Sequence, residues 1–246
     1  MEYLIALVAL TAMEIVLGID NIVFIAILTG KLPPEQQPKA RKLGLTLALA
    51  MRILLLCGIA AVVLLDDPFL KLSDFGIAEN WLLEHHHINE ISVKDLILAV
   101  GGLFLIWKSV HEIHKKLSGG EEQREVKQVV TFKSVLIQIA IMDIIFSLDS
   151  VITAVGMVKA DGYGIWVMII SVMLAVGVML IFAEQVSAFV EKNPTLKMLA
   201  LSFLILIGVM LFAEGIGTAF SKGYIYFAMA FALAVEILNL RIKHKT

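Results

Sequence analysis

Two short stretches carry the residues best suited to chemistry. Residues 14–22 read EIVLGIDNI and residues 143–151 read DIIFSLDSV. They lie 129 positions apart and align without a gap, so that Glu14 matches Asp143, Gly18 matches Ser147, Asp20 matches Asp149 and Asn21 matches Ser150. Carboxylates, an amide and a hydroxyl are hard oxygen ligands, which suit magnesium, calcium or manganese rather than copper(I) or a thiolate-bound metal. Both stretches sit in long apolar runs. A carboxylate at the centre of a bilayer costs at least about 2.5–3.5 kcal/mol on insertion scales. Four of them need a partner, and an ion or proton pathway supplies one. The competing explanation is that the acids are neutral or salt-bridged packing groups. Arg52, inside the second apolar run, is the cation available for that. One arginine offsets one acid rather than four, so Arg52 is expected to be a fixed counter-ion or a group that holds the site when it is empty.

On an ideal helix Glu14, Gly18 and Asn21 share one stripe, and Asp143, Ser147 and Ser150 share another, whereas Asp20 and Asp149 point about 120° away. Full convergence therefore predicts local unwinding, with Gly18 and Ser147 at the matching break points, unless two adjacent stripes face one cavity. Broken helices are a common way to build a midplane ion site. Met13 and Met142 also match in the repeat. A thioether near the oxygens would favour a transition metal, while the simpler reading is packing. Gln138, five residues before Asp143, and Glu236, three before Asn239, are secondary candidates for lining the pathway. Glu84 and the run His85-His86-His87 lie in a connecting segment, where a solvated loop is expected in preference to a metal-collecting patch.

The elements that must position these groups follow from composition. The 246 residues are 59% hydrophobic and 17% charged, against about 25% charged in soluble domains. That excludes an ordinary soluble enzyme, and a net charge of −2 with no basic tract gives no reason to expect nucleic acid. The single cysteine, Cys57, cannot form an intrachain disulfide. The N-terminal MEYLIALVALTAMEIVLG lacks a basic leader and a small-residue cleavage site, and reads as a retained first span.

A span needs roughly 20 mostly apolar residues. Seven segments are expected to be spans: 3–29, 43–65, 95–113, 132–157, 164–185, 196–215 and 223–240. Counted from the ends of these spans, all four acids fall within roughly 12 Å about the midplane. Glu14 and Asp143 form the central pair, and Arg52 is level with Asp20. Fifteen Lys and Arg residues fall in or beside the odd-numbered connections and in the C-terminal tail, against four on the opposite side. The positive-inside rule then puts the N-terminus outside and the C-terminus in the cytoplasm. Spans 1 and 4 run in opposite directions in that topology, so the sequence repeat must be inverted. The expected fold is an all-α polytopic membrane protein with seven transmembrane helices: a first three-helix repeat over 1–113, a cytoplasmic linker over 114–131 with Gly119-Gly120, an inverted repeat over 132–215, and a seventh helix with its tail over 216–246. Inverted repeats around a polar midplane site are a transporter pattern.

At EIVLGIDNIVF and MDIIFSLDSVITAVG the chain resembles the TerC family of integral membrane proteins. The resemblance continues through DLILAVGGLFLIWKSVHEIH, TLKMLALSFLILIG and KGYIYFAMAFALAVE, and so covers nearly the whole chain. It implies that Glu14, Asp20, Asn21, Asp143, Asp149 and Ser150 form a metal site. It further implies a multi-pass protein of the inner cell membrane that exports Mn2+ from the cytoplasm, with no prosthetic group and with Mn2+ as the transported ion. Many relatives carry extra soluble domains after the membrane part, so the chain is expected to be the membrane core. Proton exchange is the expected coupling, because crowded carboxylates favour protonation when no ion is bound. Three alternatives stand beside this one. An accessory protein could hand metal to secreted or membrane partners through the same site. An exporter of amino acids would need fixed positive charge for the substrate carboxylate. An intramembrane aspartyl protease would need two aspartates sharing a proton. The tellurite anion, by contrast, is a cargo that a four-carboxylate site should repel.

Overall fold

The computed structural model describes residues 2–58, 67–71, 90–118, 131–158, 162–218 and 221–243. Among these, seven helices account for nearly everything: α1 (Glu2–Thr29), α2 (Gln37–Cys57), α3 (Val93–Leu117), α4 (Phe132–Met157), α5 (Gly162–Lys192), α6 (Pro194–Gly215) and α7 (Lys222–Lys243). Six of them are long and apolar enough to cross a bilayer. The exception is α2. It starts at Gln37, six residues ahead of the expected span, and its first turns carry Lys39, Arg41 and Lys42. The apolar stretch that would complete it, residues 59–65, lies outside the described residues. α5 continues seven residues beyond its expected end at 185, because the polar Glu184 and Gln185 do not interrupt a run with no glycine or proline to stop it. A feature not anticipated is a short antiparallel pair, β1 (Pro68–Lys71) with β2 (Glu90–Ser92), too brief to leave a periodic signal. β2 leads directly into α3, whose start is fixed by a reciprocal cap. The Ser92 hydroxyl accepts from the Asp95 amide at 3.1 Å, and the Ser92 amide donates to the Asp95 carboxylate at 2.9 Å.

The chain packs as two compact units, and each draws on both sequence repeats. One comprises Met1–Leu64 and Lys127–Lys192, the other Leu65–Val126 and Asn193–Thr246. In the first unit α1 and α2 form a hairpin: their far ends meet where Arg52 pairs with Glu14, and Leu10 and Leu56 line one cavity. α1 and α5 run parallel, matched at Tyr3 with Tyr163, Leu7 with Ser171, Gly18 with Met179 and Gly30 with Glu191. α2 and α4 are also parallel, matched at Gly44 with Ile139 and at Arg52 with Asp143. Thus α1 and α5 run one way and α2 and α4 the other, as they must if successive helices alternate.

In the second unit α3 and α6 lie antiparallel in close backbone contact. A Cβ on Gly102 would stand 2.5 Å from the Gly208 carbonyl oxygen, and one on Gly208 would stand 2.8 Å from the Gly102 carbonyl oxygen. Small residues that let backbones touch are the usual means of holding helices together in lipid, where apolar contact alone gives no preference. Gly102→Val must push the backbones apart. Its expected cost is about 1–3 kcal/mol, read as a lowered melting temperature of the purified protein.

Candidate ion site in the first helical unit

The hairpin of α1 and α2 brings the first acid and the arginine to one level. Glu14 lies 15 residues before the end of α1 at Thr29, and Arg52 lies 15 residues after the start of α2 at Gln37. At 1.5 Å per residue each is about 22 Å from the turn. This corrects the expected depth of Arg52. Starting the helix at Gln37 rather than at residue 43 carries the arginine past Asp20 to the central pair. α4, parallel to α2, brings Asp143 to the same place.

All three side chains are buried: Glu14 and Arg52 are 3% exposed and Asp143 is 4% exposed. The Arg52 guanidinium donates through Nη1 to Glu14 Oε2, and through Nε and Nη2 to Asp143 Oδ1, both at 3.3 Å. One arginine therefore bridges two acids from the two halves of the repeat, where it was expected to offset a single acid. Asp143 Oδ2 accepts from the Ser147 hydroxyl at 3.1 Å, and the Ser150 hydroxyl donates to the Ser147 carbonyl at 3.3 Å while lying beside Glu14. The predicted stripe of Asp143, Ser147 and Ser150 is thus a connected polar face aimed at α1 and α2.

The expected unwinding does not occur. α1 and α4 are continuous helices through Gly18 and Ser147. Gly18 is small for another reason: a Cβ there would stand 1.8 Å from Met179 Cε on α5. Ser147 keeps its helical backbone and uses its hydroxyl on Asp143. Gly18→Val is expected to destabilise the protein by about 1–3 kcal/mol. Combining it with Met179→Ala should restore most of the loss in a thermal melt, because the methionine side chain is what the new methyl groups meet.

The remaining candidates divide clearly. Asn21 is part-exposed on α1, seven positions from Glu14 and so close to its stripe. Asp20 and Asp149 lie in the continuous helices, with side chains outside those described. Among the described residues no three acidic, histidine or cysteine side chains converge on one point. Met142 is buried at 2% exposure, in keeping with packing, and Met13 is part-exposed. Gln138 donates to the Ser134 carbonyl and hydroxyl at 3.2 and 3.1 Å, but its own carbonyl oxygen is buried with no hydrogen-bond partner among the described residues. Glu236 belongs to the second unit, part-exposed on α7. Residues 84–87, the Glu-His-His-His run, lie outside the described residues.

Sequence reasoning missed the contribution of α5. A small cavity of about 10 Å3, room for about one water, reaches Glu14; Leu10, Leu56, Val151 and Met168 line it, and Ser171 is its other polar group. Met168, Ser171 and Met179 all come from α5 and are all buried. Their signal was spacing rather than polarity. Ser171, Ala175, Met179, Ala183 and Ser187 recur every fourth residue, and each is buried. Such a stripe of small and adaptable side chains marks the face a membrane helix turns inward.

Long apolar helices around a buried cluster of two carboxylates, one guanidinium and two hydroxyls define an integral membrane protein with a polar site inside a helical unit. The chain belongs to the TerC family: the family described as "Integral membrane protein TerC family" matches residues 1–246, the whole of it. A UPF0053 protein of Haemophilus influenzae is 48% identical over 243 residues, covering 98% of this chain and 95% of its own. The UPF0053 inner membrane protein YgdQ of Escherichia coli K12 is 48% identical over 235 residues, with 96% and 91% covered. The UPF0053 inner membrane protein YoaE of the same organism is 44% identical, and its match spans 95% of this chain but 42% of its own. No solved structure matches the chain.

Proposed function

We propose that this protein is a transporter, not an enzyme, that exports a divalent metal ion, Mn2+ above others, from the cytoplasm through the site around Glu14 and Asp143. The observation that carries the reading is the meeting of these two repeat-related acids at one buried point, with Ser147 and Ser150 adding oxygens. Asp20, Asn21 and Asp149 complete the donor set. All are hard oxygen ligands of the kind Mn2+, Mg2+ and Ca2+ accept. The packing of helices supports the inverted-repeat reading. α1 of the first repeat pairs with α5 of the second, α4 of the second with α2 of the first, and the two third helices, α3 and α6, with each other. A pseudo-two-fold exchange of repeats produces that set of pairs, and repeats of this kind move against each other in alternating access. The names of YgdQ and YoaE as inner membrane proteins support the same location here. The charge asymmetry of the loops supports an external N-terminus and a cytoplasmic C-terminus.

The geometry bears on the alternatives. Arg52 has its charge turned to two carboxylates of the protein in this state, where an amino-acid cargo would need that charge for its own carboxylate. A glutamate and an aspartate held apart by a guanidinium also differ from an aspartate dyad sharing one proton. The accessory role in metal delivery uses the same site and differs only in whether the ion crosses alone. Purified protein in liposomes tests the choice. Mn2+ flux into the lumen, exceeding that of Mg2+ and Ca2+ and driven by an opposing proton gradient, is the expected result. Binding without flux would favour delivery to a partner.

A further inference from the structure

We infer that the Arg52 guanidinium and the transported cation are alternative occupants of the Glu14 and Asp143 oxygens, so that Arg52 fills the site in the empty carrier and leaves it when the ion binds. The inference rests on the transport reading above and adds how the site changes state. Three observations lead to it. First, three of the four carboxylate oxygens are already in use: Glu14 Oε2 and Asp143 Oδ1 accept from Arg52, and Asp143 Oδ2 accepts from Ser147. A hard divalent cation takes about six oxygens, and it competes with the guanidinium for the lone pairs that Arg52 now occupies. Second, arginine does not lose its proton in proteins, so it cannot make way by becoming neutral. A guanidinium and a divalent cation a few ångströms apart in a buried site repel strongly, and one must move.

Third, among the described residues the cavity beside Glu14 cannot take in the guanidinium by side-chain rotation alone. The cavity beside Glu14 has room for about one water and is walled by apolar side chains, among them Leu56, one helical turn along α2 from Arg52 itself. Arg52 is otherwise enclosed, at 3% exposure. With that cavity closed to it, release of the guanidinium goes with a shift of α2 against α1 and α4. Ion binding is thereby coupled to movement of a helix. The same arginine offsets one of the two negative charges of the central pair in the empty carrier, easing passage back through a low-dielectric barrier that two bare carboxylates would resist.

The test compares wild type with Arg52→Gln in liposomes, measuring Mn2+ binding, exchange of labelled for unlabelled Mn2+, and net Mn2+ efflux. The expected result is binding at least about 10-fold tighter in the variant, exchange retained, and net efflux reduced at least about 10-fold, because only net efflux requires the empty carrier to return. Exchange and net efflux falling together, or binding no tighter than wild type, overturns the inference while leaving the transport reading intact. Wild type that neither binds nor exchanges Mn2+ overturns the transport reading and this inference with it. A second measurement uses the wild-type chain and is independent of how well the variant folds. The Arg52 Nε–H resonance, identified as the one that survives R41K, R124K and R241K, is followed by NMR during titration with Cd2+ as a diamagnetic divalent probe. A shift that saturates with the bound metal supports displacement. A resonance unchanged at saturation overturns it.

Discussion

Glu14→Gln and Asp143→Asn are each expected to lower metal efflux at least about 100-fold while the chain still inserts into the membrane. Each change keeps the shape of the side chain and removes one formal charge from a buried ion site. A divalent cation leaving water for a low-dielectric interior depends on ionic ligands, and losing about 3 kcal/mol of that stabilisation is already more than 100-fold in affinity. Arg52 limits the structural damage in the single variants, because it keeps one of its two carboxylate partners. The double variant removes both and leaves a buried guanidinium without a counter-ion, so it should fail to accumulate. Efflux from metal-loaded cells, normalised to the amount of protein in the membrane, checks the single variants. Wild-type rates in either one would remove that acid from the ion path.

The second large effect concerns stability. Arg52→Gln should lower the stability of the metal-free protein by about 3–5 kcal/mol, the usual consequence of removing one partner from a buried ionic cluster. Divalent metal should restore much of the loss, since a ligand present at about 100 times its dissociation constant contributes about 2.7 kcal/mol. In wild type the same metal gives a smaller gain, because the guanidinium must first be displaced. Thermal melts of both proteins with and without Mn2+ read the difference. A variant that melts at the wild-type temperature without metal would show that the pairing of Arg52 with Glu14 and Asp143 contributes little to holding the helices together.

How much of this was legible in the sequence depends on the kind of signal each feature leaves. Glu14 and Asp143 stood out because carboxylates are rare in apolar runs, and their central pairing needed only a count of residues from each span end. Arg52 was visible for the same reason, but its depth was misjudged. Hydropathy marks where a helix becomes apolar, not where it begins, and α2 starts in the polar run Gln37–Lys42. The unwinding at Gly18 was an inference from geometry on an isolated helix. In the folded chain the glycine serves a neighbour, Met179, which no reading of α1 alone could supply. The role of α5 was hidden because its inward face differs from its lipid-facing side in residue size more than in polarity. The contact of Gly102 with Gly208 was likewise unreadable as a pair, since nothing in either helix names its partner. Asp20 and Asp149 lie on helices that continue unbroken through both positions.

If the paired acids of the repeat carry a metal ion out of the cell, the manganese content of cells will depend on them. Cells expressing wild type, Asp20→Asn or Asp149→Asn are loaded with Mn2+, and their metal content is compared with cells lacking the protein. Wild type should lower cell manganese, and both isosteric variants, present in the membrane at wild-type amounts, should not. Equal manganese in all four populations would contradict it, and would turn attention to a protein that holds or hands over metal without exporting it.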